Sequence, residues 1–343
     1  MRVDFRTTGG VFNLRRLQAK TEVSKSPLRE LLFADDCALV GHTYEDIQHI
    51  VNCLDRSTKR FGLSVSLKKT EVLFQPRPGS NYNPPPVMIG DHPLSYVSNF
   101  KYLGSFLSNN ATVDADVSHK ISKASAAFGK LCNRFWQRHE IKLTTKVAVY
   151  KAVVLSVLLC GCESWTLLRR NLKSLESFHL RCLRHICGIQ WTDYISNTEV
   201  LSRCNISGIE SLVMKCQFRW AGHMSRMPND RIPKQLLFGQ LEQGHRHQGG
   251  PKLRYKDSIK ANMKSCGIDF LHFEKLSSHR TNWRSLCHSS LQQFEENRIR
   301  HLQAQRQKRK KIVSTNKSFV CQSCGKECRS KAGVKSHQRH RGH

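Results

Sequence analysis

The chain has 343 residues, with 56 Lys and Arg against 26 Asp and Glu, a formal net charge of +30. That length supports two or three domains with a sizeable core, which excludes a small disulfide scaffold, and the charge points to a polyanionic partner. The N-terminal stretch MRVDFRTTGG is too polar for a signal peptide, and the longest apolar run, AVVLSVLLCGC (152–162), is too short to span a bilayer. Nucleic acid is therefore the expected partner and a membrane is not.

Residues 1–30 are basic and weakly patterned, with TTGG as a turn. In LLFADDCALVG (31–41), two short apolar runs flank Asp35 and Asp36, which reads as two strands joined by a tight turn. Adjacent carboxylates repel. A bare Asp-Asp pair is usually a solvated turn, but a fold that fixes one commonly supplies cations, as metal sites do. Next, Ile47, Ile50, Val51, Leu54 and Phe61 fall at helical spacing, with Thr43 as N-cap and Gly62 as the stop. VSLKKTEVLFQ then reads as a turn and an edge strand, making the block β-β-α-β. A Pro-rich loop (75–87) precedes two short strands, VMIG and FKYLGSFL, with Asp91 and His92 in the turn between them.

From about 112 to 300 the pattern is helical. TTKVAVYKAVVLSVLLCG is apolar on nearly every side and belongs at the centre. NLKSLESFHLRCLRHICG places Leu172, Leu175, His179, Cys182 and Ile186 on one face. Fourteen cysteines raise the question of disulfides. Without a secretory signal, Cys132, Cys160, Cys182, Cys187 and Cys216 read as small buried hydrophobes in a reducing compartment. LEQGHRHQGGPKLRYKD reads as a basic loop. Residues 296–318 lose their apolar periodicity after Leu302 and read as a solvated, flexible linker, in which Lys308, Arg309 and Lys310 resemble a nuclear-localisation or phosphate-binding tract.

The tail carries the most specific spacing. Cys321-x2-Cys324 is followed after twelve residues by His337 and after five more by His343, the ββα arrangement of a C2H2 zinc finger. Phe319, Cys328 and Val334 supply its small core, and zinc supplies much of the folding energy that ~25 residues cannot find by burial. His343 is the favoured fourth ligand and His340 the alternative. Counting from Cys328 puts Ser330, Gly333 and Ser336 at the base-facing positions, too small for bidentate base contacts. Lys331, Lys335, Arg339 and Arg341 are placed to meet phosphates. Binding to RNA or DNA should be largely blind to sequence.

With these residues in view, residues 31–74 resemble the second half of the palm of a non-LTR (LINE-type) retrotransposon reverse transcriptase. That family's catalytic hairpin reads Phe/Tyr-Ala-Asp-Asp, matched by Phe33, Ala34, Asp35 and Asp36. Its next motif is a helix, a Gly-Leu turn and a Lys-Thr strand, matched by Gly62, Leu63, Lys69 and Thr70; Ser66 stands where the family usually has Asn. FKYLGSFLS resembles the primer-grip hairpin that follows, with Tyr102, Leu103 and Gly104 at its centre. NLRRLQAK, LLCGCESWTL, RWAGHMSRMPNDRIPKQLL and the terminal finger extend the resemblance almost end to end.

What the resemblance implies is an α+β chain. It comprises an incomplete palm and small hairpin (1–110), a helical thumb and connection region (111–295), the basic linker (296–318) and the finger (319–343). Zn2+ belongs to the finger, and Mg2+ enters only if further sequence completes the polymerase site. The family places another catalytic aspartate well upstream, whereas the only acidic residues before the hairpin block, Asp4, Glu22 and Glu30, match no motif. The expectation is a reverse-transcriptase remnant, nuclear or cytoplasmic, that binds zinc and nucleic acid but cannot polymerise alone. The alternatives are a fragment of an active RNA-directed DNA polymerase and a finger protein exapted for regulation.

Overall fold

Among the described residues most strands lie in the first third of the chain and most helices in the rest. The computed structural model describes residues 1–19, 22–76, 82–242, 252–315, 319–328 and 331–342. They form two compact units, Met1–Leu291 and Gln292–His343.

In the first unit, β1 (Arg2–Phe5) lies between β2 (Ser24–Pro27) and a late strand, β11 (Gly239–Leu241), all antiparallel. Sequence patterning does not reveal this sheet, because its strands are short and SKSP and GQL carry almost no apolar alternation. Arg16 pins it: its guanidinium is buried against Phe238 and donates to the carbonyls of Gly10 and Phe238, both at 2.7 Å.

The predicted hairpin is present as β3 (Glu30–Phe33) and β4 (Asp36–Leu39), paired with each other and with no other strand among the described residues. Helix α1 (Tyr44–Arg60) is capped as expected, Thr43 Oγ1 accepting from the Asp46 amide at 3.1 Å. Its stop is Gly62, at φ +68°. Phe61 departs from the expected apolar face: it caps the helix C-terminus and is 80% exposed. A small core of Val51, Val87, Ile89 and Leu94 lies beneath α1.

The strand after α1 does not join the β3–β4 sheet. β5 (Glu71–Val72) pairs in parallel with β8 (Ser95–Tyr96), and Tyr96 Oη anchors on the Pro85 carbonyl at 2.8 Å. Between them, β6 (Met88–Ile89) and β7 (His92–Pro93) form a tight hairpin, so His92 is in a strand and Gly90 and Asp91 make the turn. FKYLGSFL is likewise a hairpin, β9 (Asn99–Tyr102) and β10 (Ser105–Ser108), turning through Leu103 (φ +47°) and Gly104 (φ +81°). A two-residue loop with both central φ positive matches strand twist, and glycine adopts it without strain.

The helical part comprises α2 (Asp114–Lys130), α3 (Leu143–Val149), α4 (Ser156–Leu158), α5 (Arg169–Ile186), α6 (Asn197–Arg203), α7 (Ile209–Arg226), α8 (Ile232–Phe238), α9 (Tyr255–Ser265) and α10 (Phe273–Ser278). A π-helical turn, Tyr150–Leu155, joins α3 to α4, and this rod is central as predicted, with Tyr150, Val154 and Leu158 fully buried. Trp136, Trp165, Leu175, Leu183 and Val200 complete the core around it. The cysteines divide: Cys182 is buried, Cys132, Cys187 and Cys216 are half-buried, and Cys160 is exposed. The left-handed turn at Gly161 (φ +82°) carries Cys160 outward and turns Cys162 into the core instead. In RWAGHMSRM, Gly222 lets Trp283 lie on α7: a Cβ there would stand 2.2 Å from the indole nitrogen, which donates to the Phe218 carbonyl at 2.9 Å.

α11 (Arg280–Thr315) contradicts the flexible-linker expectation, since the basic segment is helical through Thr315. The stretch has no Gly or Pro and is rich in Gln, Arg and Lys, which lose little rotamer freedom in a helix. Side-chain pairs four apart, Gln292–Glu296 and Gln293–Asn297, add support. Solvation of this tract is as expected, with Lys308 and Arg309 exposed.

Candidate functional site

In the second unit, β12 (Phe319–Val320) pairs antiparallel with β13 (Glu327–Cys328), and α12 (Lys331–Arg341) follows. The knuckle between the strands closes when Gly325 N–H donates to the Cys321 carbonyl (2.8 Å) and Cys321 N–H to the Lys326 carbonyl (2.9 Å). Gly325 takes φ +71° there. This turn and the helix bring Cys321, Cys324 and His337 together, their ligand atoms all within 4.8 Å, with Cys324 Sγ 3.0 Å from His337 Nε2. Backbone amides of Ser323 and Cys324 point at the Cys321 sulfur and hold its thiol below the ordinary value.

Two sulfurs and an imidazole nitrogen converging on one point are a donor set that suits zinc. Zn–S bonds of about 2.3 Å and Zn–N bonds of about 2.0 Å set tetrahedral ligand atoms roughly 3.5–4 Å apart. Among the described residues the donor set is three. His340 is exposed and outside it, and the favoured fourth ligand, His343, lies outside the described residues, as does Ser330. Lys331, Lys335 and Arg339 recur every four residues and are exposed, forming one cationic stripe along α12. Ser336 is exposed and Gly333 half-buried. Lys310 lies in α11, its side chain outside the described residues.

In the first unit, register pairs Phe33 with Asp36, so Ala34 and Asp35 form a two-residue loop with Ala34 at φ +51°. Asp35 is at the tip, Asp36 opens the return strand, and both are exposed. Among the described residues no third carboxylate, imidazole or thiol joins them in a group that could hold a metal ion. Lys69 is exposed in the turn ahead of β5, not in a strand, and β5 belongs to a different sheet. Apolar surface flanks the aspartates: Leu32 and Phe33 are each more than 60% exposed.

The structure does bring the two predicted hairpins together. Tyr102 Oη donates to the Leu31 carbonyl at 3.0 Å. The β9–β10 hairpin is fixed in turn by residues that sequence reasoning missed. Lys120 Nζ donates to the Gly104 carbonyl at the turn (2.9 Å). Buried Asp116 accepts from the Phe106 amide (3.0 Å) and from the Trp165 indole (2.7 Å), linking the hairpin, α2 and the GCESW stretch. Their one sequence signal is an aspartate and a lysine four apart at the start of an amphipathic helix, which ordinarily reads as capping. Beside them, Asp114 forms a two-pronged pair with Arg170 (2.6 and 3.1 Å) and accepts from Asn171 (2.6 Å), which holds its carboxyl down at about 2.

Among known proteins, a Caenorhabditis elegans protein described as uncharacterized and transposon-derived is 22% identical over 248 residues, covering 71% of this chain and 88% of that protein. A Drosophila melanogaster protein described as a probable RNA-directed DNA polymerase from transposon X-element is 24% identical over 208 residues. That match covers 57% of this chain and 22% of the polymerase. No protein-family model and no solved structure matches. Among the described residues no helix is long and apolar enough to cross a membrane.

Proposed function

We propose that this chain is a zinc-holding, nucleic-acid-binding protein related to retrotransposon reverse transcriptases. It corresponds to the second half of a palm, a helical thumb and connection region, and a C2H2-type finger. The observation that carries the reading is in the finger: three zinc-type ligands converge beside a helix bearing Lys331, Lys335 and Arg339 in one exposed stripe. The similarity to a transposon polymerase and the net charge of +30 support the same conclusion. Cys321, Cys324, His337 and, in this reading, His343 would hold the zinc, whose role is to stabilise the finger fold. The stripe and the exposed Lys308 and Arg309 neutralise phosphates and release counterions, which gives affinity without base readout.

The polymerase half of the reading rests on Asp35 and Asp36. Two neighbouring carboxylates supply only part of the ligand set that a two-metal phosphoryl-transfer site needs. The chain by itself is therefore expected not to extend a primer. A second reading, a fragment of a working polymerase, is favoured by the Tyr102–Leu31 contact, which keeps the grip-like hairpin against the aspartate hairpin. Primer extension on an RNA template with magnesium or manganese separates the two readings. The isolated chain should be inactive, and activity gained by fusing an upstream palm segment in frame should vanish with Asp35→Ala or Asp36→Ala. Extension by the isolated chain, abolished by either substitution, would overturn the remnant reading.

A further inference from the structure

The C-terminal ends of α5 and α6 each finish on a cysteine. Cys187 caps α5, its amide donating to the Leu183 carbonyl at 3.0 Å, and Cys204 caps α6, its amide donating to the Val200 carbonyl at 3.2 Å. The two helices pack together, and the sulfurs meet at 3.3 Å. That separation is closer than ordinary sulfur contact and about 1.3 Å longer than a disulfide bond. Both backbones are held by helix hydrogen bonds, so side-chain rotation alone has to close the gap. Exposure differs across the pair: Cys187 is half-buried, within reach of a small solute, whereas Cys204 is only 4% exposed.

We propose that Cys187 and Cys204 are a peroxide-oxidisable dithiol that closes into a disulfide tethering the ends of α5 and α6. Cys187 is the sulfur that reacts first, because it is the accessible one. The thiol of Cys204 donates a hydrogen bond to it, and Arg203 and Lys146 add positive charge, which together hold the Cys187 thiol below its ordinary value. The Cys187 thiolate attacks one oxygen of hydrogen peroxide, the O–O bond breaks, and the hydroxide released takes a proton to leave as water. The resulting sulfenic acid is then attacked by the Cys204 sulfur; the S–S bond forms, the S–O bond breaks, and the Cys204 proton leaves with the hydroxyl as a second water. Two thiols are oxidised and one peroxide is reduced.

The sequence makes the product easy to read. Trypsin cuts after Arg184, Arg203 and Lys215, so Cys187 and Cys204 fall on adjacent but separate peptides, 185–203 and 204–215. The zinc-loaded full chain is treated with one equivalent of hydrogen peroxide, alkylated with N-ethylmaleimide and mapped without reductant. The expected result is a linked 185–203/204–215 pair as the dominant cross-link, released by dithiothreitol, with the thermal midpoint of the untrypsinised protein raised by several degrees. The same treatment in urea should lose the preference for this pair. In Cys204→Ser, Cys187 should accumulate as a dimedone-reactive sulfenic acid. Equal alkylation of both cysteines before and after peroxide, or a cross-link pattern unchanged by urea, would overturn the proposal; neither reading depends on the variant folding.

Discussion

The Cys321–Cys324–His337 cluster and the Asp35–Asp36 hairpin both gather donors that suit a metal ion, and they complete the task to different degrees. In the cluster, a knuckle turn and one helix bring three donor groups within 4.8 Å from seventeen residues of sequence. In the hairpin, a two-residue loop presents two neighbouring carboxylates to solvent, with no third donor beside them among the described residues. The lesson concerns range. A site whose ligands are local is finished by local structure, whereas one that draws ligands from separate strands is only as complete as the sheet around it. What the hairpin does receive is position, from Tyr102 of the β9–β10 hairpin, which Lys120 and Asp116 hold in turn.

The largest effect should come from breaking the Cys321–Cys324–His337 cluster. Cys324→Ala should lower zinc affinity by about three orders of magnitude or more, because the metal's binding energy is also folding energy. Native mass spectrometry of the full chain would show one zinc lost per chain; retention of that zinc at equal affinity would remove Cys324 from the ligand set.

Asp116→Ala tests the hairpin's support. It leaves the Trp165 indole and the Phe106 amide without their buried acceptor, at a cost of about 2–3 kcal/mol. Urea unfolding should show this cost, with faster hydrogen exchange at β9–β10. A change below about 0.5 kcal/mol would mean that the hairpin is held by other contacts.

A smaller effect belongs to Asp114, whose carboxyl sits at about 2 against an ordinary 3.8 because Arg170 and Asn171 bond the ionised form. A folded value below the unfolded one stabilises above about pH 4, and the gain fades as pH falls toward 2. The pair is substantially exposed, so screening reduces it to about 1 kcal/mol. Asp114→Asn should lose that amount at pH 7 and flatten the stability curve between pH 4 and 2; an unchanged acid limb would contradict the assignment.

Much of this was legible in the sequence, for identifiable reasons. The Cys321–Cys324–His337 cluster announces itself through fixed Cys and His spacing, α1 through Thr43 and Gly62, and the central rod through an apolar run with Tyr150 and Leu158 inside it. The β1–β2–β11 sheet was not legible, since its partners lie more than two hundred residues apart and its strands lack alternation. The extension of α11 beyond residue 300 was missed because periodicity reports burial, and an exposed helical tract has none to report. The Asp116–Trp165 link was hidden because a long-range bond between a helix start and a buried indole leaves no local pattern.

The central claim, that the chain binds nucleic acid through charge and without base readout, is tested most directly by a salt titration. Fluorescence anisotropy of the zinc-loaded chain on unrelated RNA and DNA oligonucleotides should give log affinity falling with log salt at a slope of about −4 or steeper. Affinities for different sequences should agree within a few fold, and Lys335→Ala should reduce the slope by about one. A shallow slope, or a preference of a hundredfold or more for one sequence, would contradict it.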